Sequence, residues 1–204
     1  MVGLMGGTFD PIHYGHLLMC ENIREEFNLN KIIFIPAKIP PHKTDRIIIC
    51  PDARLKMVEL AIADNPDFEL SDIEIKRNGP SYTVDTIKEF RKFYSLEELF
   101  FIVGADSLVQ FHTWKNFQQI FRLCTIIVAK RPDTEEGLLN DYIRKFSNEF
   151  GARILVSQHK AMDYSSTEIR ERIKKDMSIR YRTPKSVEDY IYQRNLYRSD
   201  SGSK

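Results

Sequence analysis

The stretch "GGTFDPIHYGH", Gly6 to His16, decides how the rest of the chain is read. It follows "MVGLM", an apolar run that predicts a strand. It precedes "LLMCENIREEF", where Leu17, Leu18, Cys20, Ile23 and Phe27 recur at roughly helical spacing. Two glycines and two histidines therefore occupy a strand-to-helix corner. In an α/β sheet that corner is where ligands bind, at the carboxyl end of a strand and the amino end of a helix.

Outward from the corner the same alternation continues. Strands are predicted at "VGLM", "KIIFIPA", "FELSDIEIKR", "LFFIVGA", "TIIVAKR" and "RILVSQ". Helices are predicted at Leu17 to Phe27, Pro51 to Asp64, Thr83 to Phe93, Phe117 to Leu123 and Glu135 to Phe150. Strands alternating with helical patterns, several of them continuously apolar, predict a doubly wound, mostly parallel, Rossmann-like α/β sheet covered on both faces. Two closing helical segments, Ser166 to Lys175 and Lys185 to Arg194, form a small helical C-terminal appendage. The expected organisation is one domain over residues 1–198, followed by a disordered tail, "SDSGSK", at 199–204.

Composition narrows the function classes. A length of 204 residues, 42% hydrophobic and 29% charged, is that of an ordinary globule with one sizeable core. The formal charge of +1 gives no electrostatic reason to expect nucleic acid or an anionic membrane as partner, so any anion must be held by a local site. Cys20, Cys50 and Cys124 are odd in number and widely spaced. They form neither a disulfide framework nor a metal set, and they suit a reducing cytosol. With no leader-like start and no apolar run of membrane-spanning length, the expected location is cytoplasmic. Self-association into a homo-oligomer is compatible with the sequence.

The corner is not G-x-G-x-x-G, so the dinucleotide fingerprint is absent. Its histidines, His13 and His16, stand at a helix start whose unpaired N–H groups already favour an anion. Gly15 between them allows close approach, and imidazoles donate hydrogen bonds to phosphate oxygens. His13, His16 and Asp10 are also a conceivable set of metal ligands, although Tyr14-Gly15 fills the gap that H-E-x-x-H needs. A second helix start lies in "SSTEIRERI". Ser165 and Glu168 have capping-box spacing, while Ser166, Thr167 and Arg170 share one helical face. Hydroxyls, open N–H groups and a forked cation there make a second phosphate cradle. No nucleophilic Ser-His or Cys-His set accompanies them, which favours direct in-line transfer over a covalent intermediate.

The chain resembles the (T/H)xGH nucleotidyltransferases through "GGTFDPIHYGH". It resembles the bacterial nicotinate-nucleotide adenylyltransferases within them through "PPHK", "GPSYTVDT", "GADSLVQFHTW", "YSSTEIRERI" and "TPKSVEDYIYQRNLY" in that order. The resemblance runs nearly end to end. It implies AMP transfer from ATP, carried with Mg²⁺, to nicotinate mononucleotide, giving deamido-NAD and pyrophosphate. It implies an ATP site of Gly6, Gly7, Thr8, Phe9, His13, His16, Gly104, Asp106, Ser165, Ser166, Thr167 and Arg170. His13, His16, Lys43 and Arg170 would act on the reacting phosphates. The second substrate would meet Lys43, Tyr82, Thr83 and Trp114, with the only tryptophan stacked on the pyridine ring. Gln110 departs from the aromatic that many relatives carry there. Transfer to nicotinamide mononucleotide or phosphopantetheine is the alternative within enzymes; a nucleotide sensor without turnover is the alternative outside them.

Overall fold

The computed structural model describes residues 1–40, 48–130, 134–160 and 164–198. The first half runs β1 (Val2–Gly7), α1 (Tyr14–Glu26), β2 (Lys31–Pro36), α2 (Pro51–Ile62), β3 (Phe68–Leu70), α3 (Ile73–Lys76) and α4 (Thr83–Phe90). It continues through β4 (Leu99–Gly104), α5 (Ala105–Val109), a 3-10 turn (Phe111–Thr113), α6 (Phe117–Leu123), β5 (Thr125–Lys130), α7 (Glu136–Phe150), β6 (Ile154–Lys160), α8 (Ser166–Lys174) and α9 (Lys185–Gln193).

Strand side chains alternate faces, and the apolar residues sort accordingly. Val2, Leu4, Ile33, Ile35, Phe101, Val103, Ile126 and Val128 join one buried cluster with Val84 and Ile87 of α4, Leu108 of α5, Phe121 of α6 and Phe146 of α7. Met5, Ile32, Phe34, Phe100, Ile102 and Ile127 join the other, with Ile23 of α1, Met57 of α2, Ile169 of α8 and Ile191 of α9. Each such side chain taken from water contributes about 1.5–3 kcal/mol against the entropy of ordering the chain. The buried thiols of Cys20 and Cys124 belong to these cores and Cys50 is exposed; all are free. Burial pushes the Cys124 thiol up to about 12.

All strand pairs are parallel, in the order β3-β2-β1-β4-β5-β6. The chain winds outward one way from β1, then returns to β4 and winds the other way. Such a reversal leaves a crevice outside the carboxyl ends of the two central strands. Here β1 and β4 pair only through Val2–Leu4 with Leu99–Phe101. Beyond that point Met5–Gly7 pairs with β2 and Ile102–Gly104 with β5, so the two strands part where the crevice opens.

One predicted strand is corrected. The run 68–77 is a strand only over Phe68–Leu70 and becomes a helical turn at Ile73–Lys76. The alternation I-E-I-K suggests a strand, but Ile73 N–H donates to Ser71 Oγ and Lys76 reaches back to Asp72, closing a turn. Glu74 is then turned inward instead of outward. The first helix begins at Tyr14, earlier than the apolar spacing implies, so His16 lies inside its first turn. Among the described residues no helix is long and apolar enough to cross a membrane.

Candidate active site at the central crevice

At the end of β1 the chain has little room. A Cβ on Gly7 would sit 2.7 Å from the Phe9 ring. Phe9 itself takes φ +49°, a left-handed conformation unusual for an aromatic residue. That twist buries its ring against Phe34 and sets its edge against His16, at 5.2 Å between centroids. His13 follows as the N-cap of α1 in extended conformation, and its N–H donates to His16 Nδ1 at 3.3 Å. An Nδ1 that accepts places the proton of a neutral imidazole on Nε2, which then donates. The two rings stack at 3.7 Å, with His13 buried. A Cβ on Gly15 would fall 2.9 Å from Tyr164 Cβ and 3.1 Å from the His13 ring. The glycine therefore serves the approach of protein side chains at this point.

The second predicted cradle is joined to the first by side-chain bonds. Ser166 Oγ donates to the Pro11 carbonyl at 2.9 Å, and Arg170 Nη1 donates to the Asp10 carbonyl at 2.7 Å. Arg170 Nη2 also donates to Thr167 Oγ1 at 3.0 Å. The start of α8 is thereby held against the Asp10–Pro11 turn. Ser165 Oγ accepts from Glu168 N–H, so half of the capping box forms, while the Glu168 carboxylate accepts from Arg182. Further tethers come from the C-terminal segment. Thr183 Oγ1 donates to the Ile12 carbonyl, Tyr14 N–H donates to the Arg182 carbonyl, and the Tyr197 hydroxyl donates to Asp10 Oδ1 at 2.8 Å. The Asp10 carboxylate thus faces Tyr197 and Arg170, which removes it from a metal set with the histidines. Among the described residues no group of three or more His, Cys, Asp or Glu is gathered to hold a metal ion.

Across the crevice Gly104 ends β4 and is the N-cap of α5, with Asp106 exposed in its first turn. Trp114 is half-buried, stacked on Phe111 at 4.5 Å and edge-on to Phe101 at 6.2 Å. Tyr82 is the N-cap of α4 and Thr83 its first residue, so the first N–H groups of that helix lack helical partners. Lys115 Nζ lies 4.0 Å from the Tyr82 ring centroid, which joins the Trp114 turn to the start of α4. Beneath them Thr86 Oγ1 donates to the buried Glu74 carboxylate at 2.6 Å and accepts from Arg77 at 2.9 Å. Ser81 Oγ accepts from Lys38 N–H.

Of the residues singled out in the sequence, Gly6 through Phe9, His13, His16 and Ser165 through Arg170 come together. Gly104 and Asp106 lie at the carboxyl end of β4, and the Trp114 turn is joined to Tyr82 and Thr83 at the start of α4 through Lys115. Lys43 lies outside the described residues. Sequence reasoning misses Arg54, Tyr197, Thr183 and Glu74. Arg54 is buried and donates to the carbonyls of Thr8, Lys38 and Ile49. Burial holds its guanidinium below the usual arginine value, with Asp10 opposing, yet arginine stays charged in proteins. Its sequence signal is one charge on the inward face of the second helix.

The cytidylyltransferase-like family model matches residues 4–172. The chain is similar to a probable nicotinate-nucleotide adenylyltransferase of Thermoanaerobacter sp. (strain X514), 44% identical over 98% of this chain and 95% of that one. It is also similar to one from Moorella thermoacetica, 46% identical over 97% of this chain and 91% of that one. Among solved structures it is similar in fold to a Plasmodium falciparum nicotinic acid mononucleotide adenylyltransferase complexed with NaAD. That match has a TM-score of 0.76 at 20% identity, over 96% of each chain.

Proposed function

Because this chain belongs to the cytidylyltransferase-like family, we propose that it is a nicotinate-nucleotide adenylyltransferase. It transfers AMP from ATP to nicotinate mononucleotide and releases deamido-NAD and pyrophosphate. The observation that carries the reading is the joining of the α1 and α8 starts, made by Ser166 on Pro11 and Arg170 on Asp10. Such a pair suits a triphosphate, one start for the phosphate that reacts and one for the pyrophosphate that leaves. The reading takes residues 1–198 as one nucleotidyltransferase domain acting in the cytoplasm.

The nucleotide's phosphate is an anion at neutral pH and needs no general base. One of its oxygens forms a bond to the α-phosphorus of ATP while the bond from that phosphorus to the bridging β-oxygen breaks. Alignment and neutralisation of charge are the protein's task. His16 Nε2–H donates to the α-phosphate as charge builds, with His13 stacked behind it. Ser165, Ser166 and Thr167 at the start of α8, together with Arg170, hold the departing phosphates. Lys43 is a second cation beside Arg170, Gly6 through Phe9 line the phosphate turn, and Gly104 and Asp106 receive the ribose. Mg²⁺ enters with ATP as part of the substrate, bound to phosphates and water. The pyridine ring stacks on Trp114, and its carboxylate accepts from N–H groups near Tyr82 and Thr83.

The test is product identity. The purified protein with ATP, Mg²⁺ and nicotinate mononucleotide is expected to yield deamido-NAD and pyrophosphate in equal amounts by mass spectrometry. Release of ADP, or AMP without a dinucleotide, contradicts the reading.

A further inference from the structure

We propose that Asp10 is a positioning residue for ATP binding: it serves as counter-charge to Arg54 and Arg170, is fixed by Tyr197, and thereby aims the Arg170 guanidinium at the phosphates. The proposal rests on the reading of Arg170 as a phosphate ligand.

Asp10 is 1% exposed, and its carboxylate stands 3.9 Å from Arg170 Nη1 and acts through space on Arg54. Among the described residues Arg54 donates to carbonyls, so there its charge is balanced through space. Among the described residues, two guanidinium charges act on one carboxylate beside the start of α8. An incoming polyphosphate matches their positive charge.

The geometry differs from a simple structural ion pair. Among the described residues Asp10 Oδ2 is buried and has no hydrogen-bond partner, although Arg170 Nη1 stands 3.9 Å away. A bridge serving only stability closes to contact, because an unsatisfied buried carboxylate oxygen is costly. Arg170 is instead drawn to the Asp10 carbonyl and to Thr167 Oγ1. Those two bonds use a minority of its donors, and its side chain is only 13% exposed. The carboxylate attracts the fork without saturating it. Tyr197 fixes the other oxygen, and burial, then the charge of Asp10, keeps that phenol well above its usual value and so a donor. The last turn of the described chain thus reaches the ATP site through Asp10.

The experiment measures ATP affinity by calorimetry without the second substrate, together with KM for each substrate, in the natural protein, Asp10→Asn, Tyr197→Phe and the double variant. Asp10→Asn keeps shape and the Tyr197 bond while removing the charge. It is expected to weaken ATP by about tenfold or more, the scale of a misaligned charge-assisted hydrogen bond. KM for nicotinate mononucleotide should stay within about twofold, since that substrate lies across the crevice. Tyr197→Phe is expected to act in the same direction by a smaller factor, and the double variant to match Asp10→Asn alone. Unchanged ATP affinity in folded Asp10→Asn overturns the proposal, as does an equal loss for both substrates. Should Asp10→Asn fail to fold, Tyr197→Phe decides: weakened ATP with unchanged nicotinate mononucleotide supports the proposal, and unchanged ATP overturns it. A natural protein that binds ATP but forms no dinucleotide would count against the proposed function, not against the role of Asp10.

Discussion

At His16 the decisive detail is which nitrogen carries the proton. The bond from His13 N–H to Nδ1 leaves Nε2 as the donor, so the ring can stabilise charge on a phosphate without itself being ionised. His16→Ala is expected to lower turnover by about a hundredfold or more, as loss of one transition-state donor does, with the far-ultraviolet spectrum unchanged. Near-normal turnover in a folded variant rejects the role. Trp114 is a different case, because Phe111 and Phe101 already occupy part of its surface. Trp114→Ala is expected to weaken nicotinate mononucleotide by about 1–3 kcal/mol, the scale of base–aromatic stacking, and to spare ATP. A collapse in melting temperature with no selective loss of that substrate would return the residue to the core. The corner that carries the histidines was legible because apolar periodic runs flank it on both sides. Asp10 was not, because its partners Arg170 and Tyr197 are remote in sequence and no local pattern announces them.

Elements were legible where one period dominates. The strands Val2–Gly7, Leu99–Gly104 and Thr125–Lys130 are buried on both faces and read as apolar runs. The 68–77 run misleads because alternating Ile and charge fits a strand as well as a turn whose Glu points inward. What turns Glu74 inward is Thr86, on the helix that follows, a contact that periodicity does not encode. Burial is the main reason that the Glu74 carboxyl is held above its usual value, opposed by bonds from Thr86 and Ser81 and by Arg77. A carboxyl raised by folding stabilises below its unfolded pKa, and that contribution is lost as pH rises through the folded value. Glu74→Gln keeps an acceptor for Thr86 and has no charge to bury. As pH rises above the ordinary carboxylate range, the melting temperature of the natural protein should therefore fall relative to this variant. A gap independent of pH, measured by calorimetry, contradicts that account.

At the scale of the molecule, the closing helices are less separate than their sequence suggests. Ile169, Ile173, Val187 and Ile191 complete one face of the core. Ser166, Arg170, Thr183 and Tyr197 each bind the turn at residues 10–12. The order of strands and helices was legible because each element carries its own pattern, whereas this clasp depends on single polar contacts across more than 150 residues. The proposed site pairs phosphate-binding donors with the Trp114 ring, and the substrates should reflect both. The most direct measurement offers the purified protein ATP and Mg²⁺ with nicotinate mononucleotide, nicotinamide mononucleotide or phosphopantetheine, and follows pyrophosphate release. N–H donors at the start of α4 bond a carboxylate strongly and meet repulsion from an amide's own NH₂, so a clear preference for nicotinate mononucleotide is predicted. Equal use of acid and amide would contradict the account of α4, and pyrophosphate from phosphopantetheine alone would contradict the proposed function itself.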